Sequence, residues 1–129
     1  MTPPSQTVIR RLRPGDEDVV RLLAEDVPQT ALLADDRTIF LVAFDGERPV
    51  GFAFGYVLPR RHGAESILFV YEIDVDEAYR RQGIGSRLMR ELLAGHDEAF
   101  VLTDPDNDAA NALYESVGGA RVDSVMWDF

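Results

Sequence analysis

The heptapeptide Arg80-Arg81-Gln82-Gly83-Ile84-Gly85-Ser86 carries more chemistry in its spacing than any other stretch of this chain. It follows an apolar run through a short acidic segment and opens a run of helical periodicity. Its glycines let the backbone come close to a ligand, the first N–H groups of a helix have no partner inside the helix, and arginines flank them. Together these groups make a cradle for an anion such as a pyrophosphate. Glycines at a helix start also serve tight packing, and the heptapeptide alone leaves both readings open.

The residue types that are missing narrow the chemistry further. There is no cysteine, which removes disulfides, thiolate zinc sites and a cysteine nucleophile together, and no metal site is expected. All thirteen basic residues are arginine, so no lysine is present to form a Schiff base or act as a desolvated amine base. Proton acceptors are left as carboxylates, Tyr, Ser, His62, His96 and water. His62 lies in a polar loop, and His96 follows Gly95 at a helix end, where a contact with the helix dipole suffices for it. A net charge of −10 argues against a nucleic-acid partner, which needs a basic surface. Such a charge attracts cationic partners, and it also serves solubility alone.

The elements that must position the cradle follow from periodicity. Residues 7–12 alternate as a short strand, and Pro14-Gly15 hands over to Asp16, an N-cap for a helix carrying Val19, Val20, Leu22 and Leu23. Residues 25–37, with Pro28 and the acidic pairs Glu25-Asp26 and Asp35-Asp36, read as a loop with one helical turn around residues 30–33. Residues 38–44 and 50–58 are β-branched and aromatic runs joined by Asp45-Gly46-Glu47-Arg48-Pro49, a hairpin signal. After the polar connection 59–64 comes a strand over 66–75, whose continuous apolar run predicts burial on both faces. Residues 83–94 form a helix with Ile84, Leu88, Leu92 and Leu93 inward, and 99–103 a short strand. Residues 107–117 form a helix with Ala110, Leu113, Tyr114 and Val117 on one face, Gly118-Gly119 ends it, and residues 121–129 read as a final strand.

That order predicts a mixed α/β (α+β) layer fold, a mostly antiparallel central sheet with flanking helices. The 129 residues, 46% of them hydrophobic, fit one domain over 1–129 with a single core. No apolar run approaches a membrane span, and Met1-Thr2-Pro3-Pro4-Ser5-Gln6 has neither a basic nor an apolar leader region, so a soluble cytoplasmic protein without a membrane partner is expected.

The run Glu72-Ile73-Asp74-Val75-Asp76-Glu77-Ala78-Tyr79-Arg80-Arg81-Gln82-Gly83-Ile84-Gly85-Ser86-Arg87-Leu88 resembles the acetyl-CoA-binding segment of the GNAT acetyltransferases, with Arg80, Gly83 and Gly85 on its Arg/Gln-x-x-Gly-x-Gly/Ala pattern. A dinucleotide fingerprint matches less well, because a third glycine and the regular βαβ repeat are missing. Asp106-Asn107-Asp108-Ala109-Ala110-Asn111-Ala112-Leu113-Tyr114-Glu115-Ser116-Val117-Gly118 resembles the same superfamily's Asn-x-x-Ala-x-x-Leu-Tyr-x-x-x-Gly stretch. The two segments and the element order cover nearly the whole chain.

The resemblance implies a sheet whose central strands splay beside a bulge, and an enzyme that moves an acetyl group from acetyl-CoA to a primary amine in a ternary complex. It implies that backbone groups of Ile73 and Val75 hold the pantetheine arm, that the amides of Gln82, Gly83, Ile84, Gly85 and Ser86 with Arg80 or Arg81 hold the pyrophosphate, and that Asn107 touches the arm from the other side. Tyr114 then stands as the acid near the sulfur. An attacking amine must lose a proton, and Glu72 on the central strand is the first candidate to take it; anchoring a cationic substrate or pairing with an arginine is its alternative role. Asp74 shares Glu72's face by strict alternation, but a nearby bulge is expected to turn it away. The other class of reading is a CoA-binding module of this shape that regulates without turnover.

Within the superfamily the likeness is to the aminoglycoside 3-N-acetyltransferase type I group, antibiotic-resistance enzymes. It rests on Tyr56-Val57-Leu58-Pro59, Tyr71-Glu72-Ile73, Ala112-Leu113-Tyr114, Gly118-Gly119 and Val125-Met126-Trp127-Asp128-Phe129. That group has Tyr-Asp where this chain has Tyr71-Glu72, one methylene longer. Polycationic acceptors call for a carboxylate-lined cleft, for which Asp35, Asp36, Glu72, Asp104, Asp106 and Asp128 are candidates. A polyamine, a peptide N-terminus or another small amine has the same charge requirement. The apolar final strand ending at Trp127 and Phe129 suits pairing across a homodimer.

Overall fold

The computed structural model describes residues 7–63 and 65–129. Met1 to Gln6, in which no leader was read, and Ala64 of the polar connection lie outside the described residues. Five strands form one sheet in the order β1-β2-β3-β4-β5, with β1 Thr7–Arg11, β2 Thr38–Asp45, β3 Arg48–Pro59, β4 Ser66–Val75 and β5 Ala99–Val101. The first four pair antiparallel and β5 joins β4 in parallel, so the sheet is mixed and mostly antiparallel, as its sequence order predicts. Helices α1 (Glu17–Leu23), α2 (Ile84–Leu93) and α3 (Asp108–Ser116) flank it, with short 3-10 turns at Thr30–Ala34 and Glu77–Tyr79. Among the described residues no helix is long and apolar enough to cross a membrane.

The two faces of the sheet bury separate cores. On one, Leu41, Ala43, Ala53, Leu68 and Val70 meet the α2 stripe of Ile84, Leu88, Met89 and Leu92, three of which recur at i, i+4 and i+8. Leu68, Ile84, Leu88 and Leu92 are fully buried, each contributing about 1.5–3 kcal/mol by leaving water. On the other face, Phe40, Val42 and Phe54 pack under Leu12, Val20 of α1 and Leu33. Strand β2 therefore buries alternate residues on both sides, which makes it central.

Several expected elements differ. β4 is fully buried only on its α2 face, at Leu68 and Val70; Phe69 between them is half-buried, and Tyr71 and Glu72 are exposed. β5 stops at Val101. Asp16 sits at the N-cap of α1, but its carboxylate accepts from the Arg13 amide and from Arg10 rather than from the helix. Residues 121–129 form no strand; every one of them is exposed and none pairs with the sheet. Their alternating apolar pattern supplies half of what a strand needs, and a partner edge supplies the other half.

Candidate active site

The site is organised by a one-residue irregularity in β4. Phe54 pairs with Glu72 and Gly55 with Val70, so Tyr71 is the extra residue of a bulge. A side chain at Gly55 is excluded, since a Cβ there would stand 2.5 Å from the Phe69 carbonyl oxygen. With Tyr71 looped out, Tyr71 and Glu72 both serve the aromatic face. The Tyr71 ring lies 5.4 Å from Phe54, 5.6 Å from Tyr56 and 5.7 Å from Phe69. The bulge precedes Glu72, so it does not turn Asp74 away: Asp74 pairs across from Phe52 and lines the same cleft as Glu72.

That cleft has a volume of about 490 Å³. Its floor is the Phe40, Phe52 and Phe54 cluster, Phe40 stacking on Phe54 at 5.1 Å. One wall is the segment running out of α1, and the polar lining is five carboxylates, Glu25, Asp26, Glu72, Asp74 and Asp76. Although the Glu72 side chain opens to solvent, lost hydration raises its pKa above the ordinary carboxylate range, and the charges of Asp74 and Glu25 push it the same way.

On the outer side of β4 the sheet comes apart. β5 pairs only along Leu68 to Val70, so residues 71–75, paired with β3 on their inner side from Glu72 on, have no neighbouring strand on the outer side among the described residues. Val75 shows what fills that edge: its N–H donates to the Asp74 carboxylate at 2.9 Å and its carbonyl accepts from Arg80 Nε at 2.9 Å. Arg80 Nη2 and Asp74 Oδ1 are 3.5 Å apart, closing a small clasp over the strand end.

The loop into α2 is set by two left-handed residues, Arg81 at φ 64° and Gly83 at φ 78°. Gly83 is the N-cap of α2 and no side chain caps the helix; the Arg87 amide donates to its carbonyl. The amides of Ile84, Gly85 and Ser86 begin the first turn, where no intrahelical acceptor exists. A Cβ built on Gly83 meets no atom within 4 Å, so the space before the cradle is open. Unpartnered amides, an arginine pair and an open strand edge fit a diphosphate carrying an amide-bearing arm, which is the shape of acetyl-CoA.

Tyr114 stands on the opposite side of the sheet from Glu72, half-buried against the α2 core. Burial raises its pKa, so the phenol holds its proton through neutral pH. Asn107 caps α3, its Oδ1 accepting from the Ala110 amide at 3.1 Å. Asn111, not singled out from sequence, donates to the carbonyls of Asp104, Pro105 and Asn107 and pins the preceding loop.

Of the residues expected around the acceptor, Glu72 lines the cleft. Asp35 is engaged by Arg37, Asp36 and Asp104 are exposed loop residues outside the lining, and Asp128 lies on the exposed tail. The acidic wall comes instead from Glu25, Asp26, Asp74 and Asp76. For Asp74 and Asp76 the signal was present, since they continue the alternation that begins at Glu72.

The profile of the Acetyltransferase (GNAT) family matches residues 8–119, and the chain belongs to that family. It is 46% identical over 82 residues to the N-alpha-acetyltransferase RimI of Mycobacterium tuberculosis, covering 60% of this chain and 51% of the relative. To the L-2,4-diaminobutyric acid acetyltransferase of Halalkalibacterium halodurans it is 32% identical over 84 residues, 60% of this chain and 42% of the relative. The chain thus spans about half the length, or less, of these curated relatives. Among solved structures, an aminoglycoside acetyltransferase, HMB0005, from an uncultured soil metagenomic sample superposes with a TM-score of 0.85 at 25% identity, over 100% of this chain and 98% of that one.

Proposed function

We propose that this chain is an acetyl-CoA-dependent N-acetyltransferase acting by direct transfer on a small polycationic amine, with aminoglycosides as the leading acceptor class and the 3-amino group as the position acetylated. The observation that carries this reading is the cleft of five carboxylates over an aromatic floor, set beside Glu72 and across the open β4 edge from the anion cradle. The carboxylates attract and desolvate ammonium groups, while the Phe rings accept the apolar faces of a sugar or alkyl chain.

Bound acetyl-CoA supplies a thioester acetyl group. The cradle at residues 82–86 and Arg81 hold phosphate oxygens, and the Val75 backbone groups are available to the arm once the Asp74 and Arg80 clasp opens. Glu72, with its raised pKa, takes the proton that the amine must lose, and Tyr114 keeps a proton to donate. Without cysteine or a serine-base pair the enzyme itself carries no acetyl group.

A second acceptor reading has its own support: the 46% identity to RimI points to a peptide N-terminus. Release of CoA over a panel of aminoglycosides, polyamines, diaminobutyric acid and peptide N-termini separates them. Turnover on aminoglycosides, with product mass and regiochemistry, supports the proposal. Turnover confined to peptides replaces the acceptor but leaves the transferase, and no turnover on any amine makes the chain a CoA-binding module.

A further inference from the structure

We propose, on the reading of the outer β4 edge as the donor's seat, that Asp74 is a positioning residue coupling the two sites: it competes with the donor's arm for the Val75 amide, and its displacement by the arm delivers its charge to the acceptor cleft. Strand alternation sets the directions. The Asp76 amide turns inward to the Val50 carbonyl at 2.8 Å, so the N–H and carbonyl of Val75 turn outward, away from β3. An amide-bearing arm pairs with such groups as an added strand does. Both groups are engaged within the chain itself: the N–H donates to Asp74 Oδ1 at 2.9 Å, and the carbonyl accepts from Arg80 Nε at 2.9 Å. Arg80 Nη2 in turn stands 3.5 Å from Asp74 Oδ1. The clasp thus presents to each group what the donor brings: an oxygen to the amide, a donor to the carbonyl and an anion to the guanidinium.

The same carboxylate belongs to the acceptor cleft. Asp74 pairs across from Phe52 and lines the cleft with Glu25, Asp26, Glu72 and Asp76. While an amide and a guanidinium meet its charge, it is a poorer partner for an ammonium group. An arm carbonyl on the Val75 amide and a phosphate on Arg80 replace Asp74 contact for contact, so the strand edge loses no hydrogen bond in the exchange. The Asp74 charge is then left to the cleft. Donor and polycationic acceptor therefore favour one another, and the factor is the same in both directions. The Arg80 and Asp74 side chains are 57% and 58% exposed, so solvent screens their attraction. The expected coupling lies at the low end of the usual range, about 5–10-fold.

Calorimetry on the full chain tests this with CoA as the donor probe and neomycin and spermine as polycations, each titrated with and without the other ligand at saturation. Wild type is expected to bind the polycations about 5–10-fold more tightly with CoA present, and CoA to gain the same factor in return. Asp74→Ala frees the Val75 amide, so CoA should bind about 5-fold more tightly than to wild type while the coupling falls to about one. Asp74→Asn keeps an oxygen for that amide without the charge, so its CoA affinity should stay near wild type while the coupling is lost. Asp74 lies outside both cores, so the two variants are expected to fold, which thermal melts check. An equal gain in CoA affinity in both variants would reduce Asp74 to plain repulsion of the donor and overturn the proposal. Coupling that persists in Asp74→Ala, or is missing from wild type that binds CoA, also overturns it. Wild type that binds no CoA would instead overturn the donor reading beneath it, so the two failures are distinguishable.

Discussion

Glu72→Gln removes one of the five cleft carboxylates while keeping the side chain's size. Two effects are expected, with different magnitudes. Loss of a general base costs typically 100-fold or more in kcat. Loss of attraction for an ammonium about 4 Å away is worth roughly 4 kcal/mol at an effective dielectric of 20, and solvent in the open cleft cuts this to about 1.5 kcal/mol, or ~10-fold in KM. Burial, with Asp74 and Glu25 behind it, raises the folded pKa of Glu72 above the ordinary 4.5. Wild-type kcat therefore falls as pH drops through that raised value, and Glu72→Gln loses this limb. The sign for stability is opposite. The folded state holds this proton more tightly than the unfolded state, so wild type loses stability as pH rises from 4.5 through the raised value, and the variant does not. At neutral pH Glu72→Gln is expected to melt no lower than wild type while turning over far more slowly. Steady-state kinetics from acid to alkaline pH, with thermal melts in the same buffers, measure both. Unchanged kcat at saturating amine with KM raised about 10-fold would refute the base assignment and leave Glu72 as an anchor.

Tyr114→Phe keeps the packed ring and removes the proton donor, so kcat is expected to fall ~100-fold while the melting shift given by acetyl-CoA is unchanged; equal loss of both assigns Tyr114 to packing. Gly83→Val introduces a β-branched residue at φ 78° in front of the cradle, and the fold is expected to survive while the acetyl-CoA melting shift disappears, which differential scanning fluorimetry reads. Gly55→Ala pushes a Cβ to 2.5 Å from the Phe69 carbonyl and should cost about 2 kcal/mol, several degrees of Tm, with a larger fall in kcat as the bulge relaxes; unchanged kcat would separate the bulge from catalysis. Intact mass of enzyme mixed with acetyl-CoA alone should show no stoichiometric acetyl adduct, and a turnover-competent adduct would overturn direct transfer.

The loop and helix start at residues 80–86 were legible because their information is local: two glycines and two arginines lie within seven residues, and Gly83 takes the left-handed N-cap position. The α2 stripe and the β2–β3 hairpin were legible by periodicity for the same reason. The position of the bulge was not, because register belongs to a pair of strands, and it is Gly55 on β3 that leaves Tyr71 on β4 unmatched. The acidic wall was missed where it depends on a loop: Glu25 and Asp26 reach the cleft through the path of the chain after α1, which has no period to read. Residues 121–129 failed for a related reason, since an alternating pattern states a preference for a neighbour without saying which edge provides it.

Residues 24–27, which follow α1 and wall the cleft, are all exposed, so neither core depends on their identity. Variation there is decoupled from folding in a way that variation in β4 is not. Under the proposed function, a lineage can trade one acceptor for another by rewriting these four positions, while the donor side stays under constraint from Gly55, the bulge and the α2 start. For protein engineering the same property makes residues 24–27 the natural place to randomise: a library there should yield mostly folded members, sorted, on the proposed reading, by which amine they accept.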